Sequence, residues 1–159
     1  MTDTYITAES ILPLLMTRRR ALSFIDYLAS LEENFYRKEE LMRLNDPFSD
    51  VISVLDKNLL SSSDSLRSFL DALKRSVDSV CLINMTIATT LDLDALKDIY
   101  LAFEDLCSKP YLLDLKIDPS IIGGAEVVLN GKYVDLTLNT YIDNLFSTKK
   151  DDIKSILHS

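Results

Sequence analysis

Tryptophan is absent from this chain, histidine occurs once (His158), and cysteine twice (Cys81 and Cys107). Three such side chains cannot assemble a zinc site of the Cys/His type. A Cys–His nucleophilic pair would have to take its base from the penultimate residue, a chain end that is expected to fray. Basic charge is also short: 17 Lys+Arg against 25 Asp+Glu leave a net charge of −8. A chain this acidic is unsuited to non-specific nucleic-acid binding, where phosphate neutralisation supplies most of the affinity, and it lacks the basic stripe that anionic lipid attracts. No apolar run approaches the ~18–20 residues that cross a bilayer. MTDTYITAES carries acids and no basic segment, so neither a secretory nor an Arg-rich transit peptide is expected. Two cysteines could form one disulfide, but these features together favour a soluble protein of a reducing compartment, with no direct membrane insertion.

Glycine is scarce and unevenly placed. Gly123, Gly124 and Gly131 all fall in the last 40 residues, and every arginine precedes residue 80. A stretch that never requires a positive φ is most simply built from helices. The 159 residues are 47% apolar and 26% charged, enough for a conventional core. The reading is an α+β protein with a boundary near Ser76–Ser79: an antiparallel helical bundle over 1–79, then a small β-α-β-β-β-α domain over 80–159.

In the first lobe Leu22, Ile25, Leu28, Leu31 and Phe35 recur at helical steps, predicting a helix over 17–44 with a break near Asn34. Asp46 and Pro47 are placed to cap and open the next helix, with Val51, Ile52, Val54 and Leu55 inward. Ser61-Ser62-Ser63-Asp64 is a turn leading into a helix with Leu66, Phe69, Leu70, Leu73 and Val77 on one face. A segment near Glu9–Met16 is expected to be helical despite Pro13. In the second lobe 80–88, apolar and rich in β-branched residues without a helical stripe, reads as a largely buried strand, and 92–107 as a helix that Pro110 ends. Tyr111, Leu113, Leu115 and Ile117 alternate with polar residues as a half-buried strand. Asn130-Gly131 between 125–129 and 132–134 spells a hairpin. Asp135 is placed to cap a last helix containing Leu138, Tyr141, Ile142, Leu145 and Phe146, with one further turn near 153–157.

No set of side chains reads as catalytic, cofactor-binding or metal-binding. Asp92, Asp94 and Asp98 sit where a helix amino end favours carboxylates. Glu32, Glu33, Glu39 and Glu40 flank Arg37 and Lys38 as a solvated face. Arg18-Arg19-Arg20 is the sharpest charge cluster and the candidate for docking a partner. Asp118-Pro119-Ser120-Ile121-Ile122-Gly123-Gly124 offers two glycines after a strand, but no G-x-G-x-x-G or G-K-[ST] sequel and no following helix. It reads as a turn and a sharp bend, with Gly123 expected to be strained or closely approached.

Ile117 through Gly124, then Val127-Val128, Asn130-Gly131-Lys132 and Val134-Asp135, resembles the carboxy-terminal signature of the F-type ATP synthase delta subunit family, whose mitochondrial counterpart is the oligomycin-sensitivity-conferring protein. Leu138, Ile142 and Leu145 occupy matching places, and Thr86-Ile87-Ala88-Thr89 with Leu91 is similar to the opening of the family's second domain. The resemblance covers 80–146; Thr137 stands where the family has serine, and the helical lobe is shorter than the family's bundle. It implies a non-catalytic peripheral-stalk subunit without cofactors, at the cytoplasmic face of a bacterial inner membrane through its complex. Asp118, Pro119, Ser120, Ile122, Gly123, Gly124 and Asp135 would be motif residues of structural and interaction type. It also implies that the first lobe binds the amino-terminal helices of the alpha subunits and the second the carboxy-terminal helices of the b-type stalk. The readings it competes with are a small phosphate- or nucleotide-handling enzyme using the Ile122-Gly123-Gly124 bend and a helical adaptor outside the synthase. Holding two partners requires about 1,000 Å² for each, so exposed apolar side chains are expected on both lobes.

Overall fold

A computed structural model describes residues 7–37, 47–56, 58–104, 107 and 109–143. The chain is α+β and divides into two compact units, Met1–Leu82 with Asp94–Leu113 and Ile83–Leu93 with Asp114–Ser159. Residues 94–113 thus group with the helices, although they follow the first strand in sequence.

In the first unit a 3₁₀ turn, Glu9–Ile11, runs into the single turn α1 (Leu12–Leu15), followed by α2 (Arg18–Glu33), a 3₁₀ turn Phe35–Arg37, α3 (Ser49–Ile52) and α4 (Ser63–Ser79). Thr17 starts α2: its hydroxyl accepts from the Arg20 N–H at 3.2 Å, satisfying one of the free amides of the first turn. The inward stripe of α2 is Ala21, Phe24, Ile25, Leu28 and Leu31. Leu22, expected inside, is 44% exposed, because the wide Phe24 and the small Ala21 take the core-facing positions on either side of it. The helix stops at Glu33, where Asn34 folds its amide back onto the Ser30 carbonyl at 3.0 Å; the expected continuation over 38–44 and the Asp46 cap lie outside the described residues. Pro47 belongs to a turn, and α3 begins two residues later.

α4 lays Leu66, Phe69, Leu70, Leu73 and Val77 against α2, and these two stripes form the centre of the core. It begins inside the polar run, with Ser62 at the N-cap position and Asp64 in the first turn, where the helix dipole favours a carboxylate. Phe48 packs on Phe24 and Tyr27, ring centroids 5.1 and 5.4 Å apart. α5 (Leu93–Ala102) ends short of the expected Cys107. It is tied to the next strand by two tyrosines stacked at 4.5 Å, each hydroxyl donating to the other's backbone carbonyl: Tyr111 to Tyr100 at 2.6 Å and Tyr100 to Tyr111 at 3.3 Å.

The strands are β1 (Cys81–Ile87), β2 (Tyr111–Ile117), β3 (Ala125–Leu129) and β4 (Lys132–Asp135), in the order β2-β1-β3-β4 of a mixed sheet. β1 pairs antiparallel with β3, Met85 opposite Val127, and β3 with β4, Val127 opposite Val134. Asn130 and Gly131 turn the hairpin with φ of 51° and 75°, the two positive values that a two-residue turn matched to strand twist requires. β1 is a strand as expected and alternates, burying Ile83, Met85 and Ile87. β2 does not: Tyr111, Leu112 and Leu113 are buried in succession and Ile117 is 47% exposed, because Leu112 enters the helical core and Leu113 pairs with Thr17.

Burial first, then the nearby Cys107 and Glu104, push the Tyr111 hydroxyl from 10.0 up to about 12, and burial raises Tyr100 as well. The fold favours the neutral phenols, so the stability they contribute is complete below pH 10.0 and is lost as pH rises through about 12. Tyr111→Phe removes one buried hydrogen bond and should cost about 1–2 kcal/mol at pH 7 in urea unfolding. The variant should also lose part of its alkaline destabilisation; an unchanged urea midpoint would contradict a locking role for this pair.

Candidate interaction site at the Asp-Pro-Ser and Gly-Gly corner

β2 ends where the Asp118 N–H donates to the Ile87 carbonyl at 2.8 Å. The Asp118 carboxylate then accepts from both the N–H and the hydroxyl of Ser120, at 2.9 and 2.7 Å, an Asx turn around Pro119. The Ile121 N–H closes back on the Asp118 carbonyl at 3.2 Å. This places Ile121 inward and Ile122 outward, 8% and 71% exposed.

The two glycines behave differently. A Cβ on Gly123 would meet nothing nearer than Leu138 at 3.8 Å, an ordinary contact, so the expectation of strain there is corrected. Gly124 has φ +84°, and a Cβ would lie 2.2 Å from the Leu136 carbonyl oxygen. Only glycine permits this approach, which is closed by hydrogen bonds on both sides: Leu136 N–H to the Ala125 carbonyl at 2.9 Å and Leu138 N–H to the Gly123 carbonyl at 2.8 Å.

Asp135 sits three residues before the start of the last described helix, residues 138–143. Its two oxygens accept from the Thr137 N–H at 2.8 Å and the Thr140 hydroxyl at 2.5 Å. The cap itself is Thr137, whose hydroxyl lies 3.5 Å from the Thr140 N–H and whose carbonyl takes the Tyr141 N–H at 3.2 Å. The expected capping role of Asp135 therefore moves two residues on, because the carboxylate is already engaged in ordering the turn before the helix. Thr140 escaped the sequence reading; the spacing Asp135-x-Thr137-x-x-Thr140 was the signal for it. Hydrogen bonds from Ser120 hold Asp118, and those from Thr140 and Thr137 hold Asp135, below the usual carboxylate range. Both stay ionised at neutral pH and accept hydrogen bonds from neighbouring groups, which suits ordering a loop better than transferring a proton.

With these carboxylates turned to local donors, the corner also presents large apolar side chains outward. Ile122, Leu136, Leu138 and Tyr141 are 71, 62, 43 and 62% exposed. Leu138 and Tyr141 stand one helical turn apart, with Ile122 next to the glycine that receives the Leu138 N–H. Among the described residues no three His, Cys, Asp or Glu side chains gather as metal ligands. In the first unit Arg18 and Arg19 are exposed, but Arg20 is drawn into an ion pair with Asp50 at 2.6 Å. Of the three docking candidates, Arg20 is thus committed to joining α2 with α3. Leu14, Leu22 and Val54 are exposed apolar residues of that unit.

Residues 38–148 match the model of the family described as ATP synthase delta (OSCP) subunit. The chain belongs to that family. The match takes in the whole corner and reaches upstream through α3 and α4, well before residue 80, leaving α1 and α2 outside it. Proteins named ATP synthase subunit delta resemble it at 29% identity over 96 residues in Nitrobacter hamburgensis (60% of this chain, 51% of that one). In a Bradyrhizobium species the figure is 31% over 108 residues (65% of this chain, 56% of that one). The chain therefore spans about half the length of these curated relatives. Among the described residues no helix is long and apolar enough to cross a membrane.

Gly124→Ala should destabilise the protein by about 2–3 kcal/mol and Gly123→Ala by less than about 1, measured by urea unfolding; equal effects would contradict the close approach at Gly124. The depressed Asp135 pKa contributes stability above the ordinary 3.8 that is lost as pH falls through the folded value. Asp135→Asn should accordingly flatten the pH dependence of the thermal midpoint below pH 5 or so; an unaltered acid limb would contradict the hydrogen-bonded role given to this carboxylate.

Proposed function

We propose that this chain is a non-catalytic peripheral-stalk subunit of a proton-translocating F-type ATP synthase. The helical lobe over 1–79 binds the amino-terminal helices of the alpha subunits, and the lobe over 80–159 binds the carboxy-terminal helices of the b-type stalk. Joined in this way, head and stalk resist rotor torque, so that proton flow drives ATP synthesis instead of idle rotation. The site is peripheral, at the cytoplasmic face of a bacterial inner membrane, and the chain reaches the membrane only through the complex.

One observation carries the reading. The residues that give the chain its family resemblance are engaged in fixing a corner, Asp118 and Asp135 by hydrogen bonds from Ser120, Thr137 and Thr140. Exposed beside them are the apolar Ile122, Leu136, Leu138 and Tyr141, a set suited to the apolar stripe of an amphipathic helix. A clamp under load needs such an arrangement: a frame that does not shear and an apolar face that a helix covers. The exposed Leu14, Leu22 and Val54, with Arg18 and Arg19 one helical turn before Leu22 on α2, support a second contact on the helical lobe.

Tagged chain purified from native membranes should carry alpha, beta and b-type subunits with it. Leu136→Asp combined with Leu138→Asp should weaken binding of a b-type carboxy-terminal helix by tenfold or more, on the order of 1.4 kcal/mol, with the thermal midpoint little changed. Undiminished binding would remove the corner from the interface. Saturable micromolar binding of ATP or phosphate in calorimetry would favour the enzymatic reading instead.

A further inference from the structure

Met16, between α1 and α2, has φ 57° and ψ −43°, a conformation that residues bearing a Cβ avoid. The Thr17 N–H donates to the Leu15 carbonyl at 2.6 Å, two residues back, making the rare γ-turn of positive φ. Such a turn persists only where its surroundings over-determine it. Downstream it is fixed by the Thr17 cap on α2 and by the Leu113 N–H, which donates to the Met16 carbonyl at 2.9 Å.

Upstream the restraint is of another kind. α1 is one turn long and contains Pro13, and a helix that short has no stability of its own. It is held by Ile11, Leu12 and Leu15, at most 1% exposed, packed against α2 and α3. α2 and α3 are joined without its help, through the Arg20–Asp50 ion pair and the contact of Phe24 with Phe48. α4 packs on α2 through Leu66, Phe69, Leu70, Leu73 and Val77, in the same core that Ile11, Leu12 and Leu15 enter.

We propose that residues 8–16 are a sprung strap. It lifts as one piece about the Met16 turn while α2, α3 and α4 stay folded, and lifting relaxes Met16, frees the Leu113 N–H and uncovers the apolar slot between α2 and α3. In the closed state the chain's own Ile11, Leu12 and Leu15 fill that slot. The occupant of the slot is therefore this chain's own segment, and the slot is exposed only in proportion to the open fraction. The strap lies outside residues 38–148 and apart in sequence from the corner.

Native-state hydrogen exchange of the full chain, residue-resolved by NMR across low urea concentrations, tests this. Amides of the strap and that of Leu113 should exchange through one opening with a shallow urea dependence, set by the limited surface it exposes. Those of Leu28 and Leu70 should follow the steep dependence of global unfolding. Met16→Gly should slow strap exchange several-fold by removing the backbone penalty, whereas Met16→Ala, which retains it, should not. Strap amides that share the steep urea dependence of α2 and α4 would overturn the strap. So would strap exchange that Met16→Gly leaves as fast as before.

Discussion

At Gly124 the main chain, at φ +84°, runs so close to the Leu136 carbonyl that a Cβ would lie 2.2 Å from it. Much of the second unit follows from this contact. It brings the start of β3 against the bend after β4, so that Ala125 and Gly123 each receive an amide from that bend, Leu136 and Leu138 respectively. The bend then has a fixed geometry in which Asp135 gathers the Thr137 amide and the Thr140 hydroxyl, and Thr137 opens the helix. A side chain at residue 124 would push these strands apart at the point where the apolar corner is assembled.

The polar half of the motif serves the same end. Asp118 and Asp135 carry negative charge that local donors stabilise, which is why both titrate low. Desolvation would have raised them and made them acid–base groups; hydroxyl and amide donors make them structural. Rigidity at the corner and apolarity outside it are therefore two results of one arrangement. A subunit proposed to pass torque between neighbours needs both, and it needs no reacting group.

Much of this was legible in the sequence because the signals are local. Asn130-Gly131 required a hairpin, the spacing of Leu66, Phe69, Leu70, Leu73 and Val77 required an inward helix face, and the strand over Tyr111–Ile117 matched its expected bounds. The misreadings come from contacts distant in sequence. Gly123 and Gly124 look alike in the chain, and only the approach of Leu136 separates them. Leu22 fits a helical stripe, but Phe24 competes for the same core and wins on size. β2 loses its alternation because its first residues pack among helices, a partner set that periodicity cannot announce. Arg20 looked available for docking until α3 brought Asp50 within 2.6 Å. The strain at Met16 left no compositional trace, since neither glycine nor asparagine marks it.

The measurement that bears most directly on the proposed role is ATP synthesis by energised membranes from the host, with and without this polypeptide. As a torque-bearing link, its removal should leave proton conduction and head hydrolysis uncoupled and ATP synthesis near background, with restoration when purified chain is added back. An assembled synthase that makes ATP at normal rates in its absence would contradict the account.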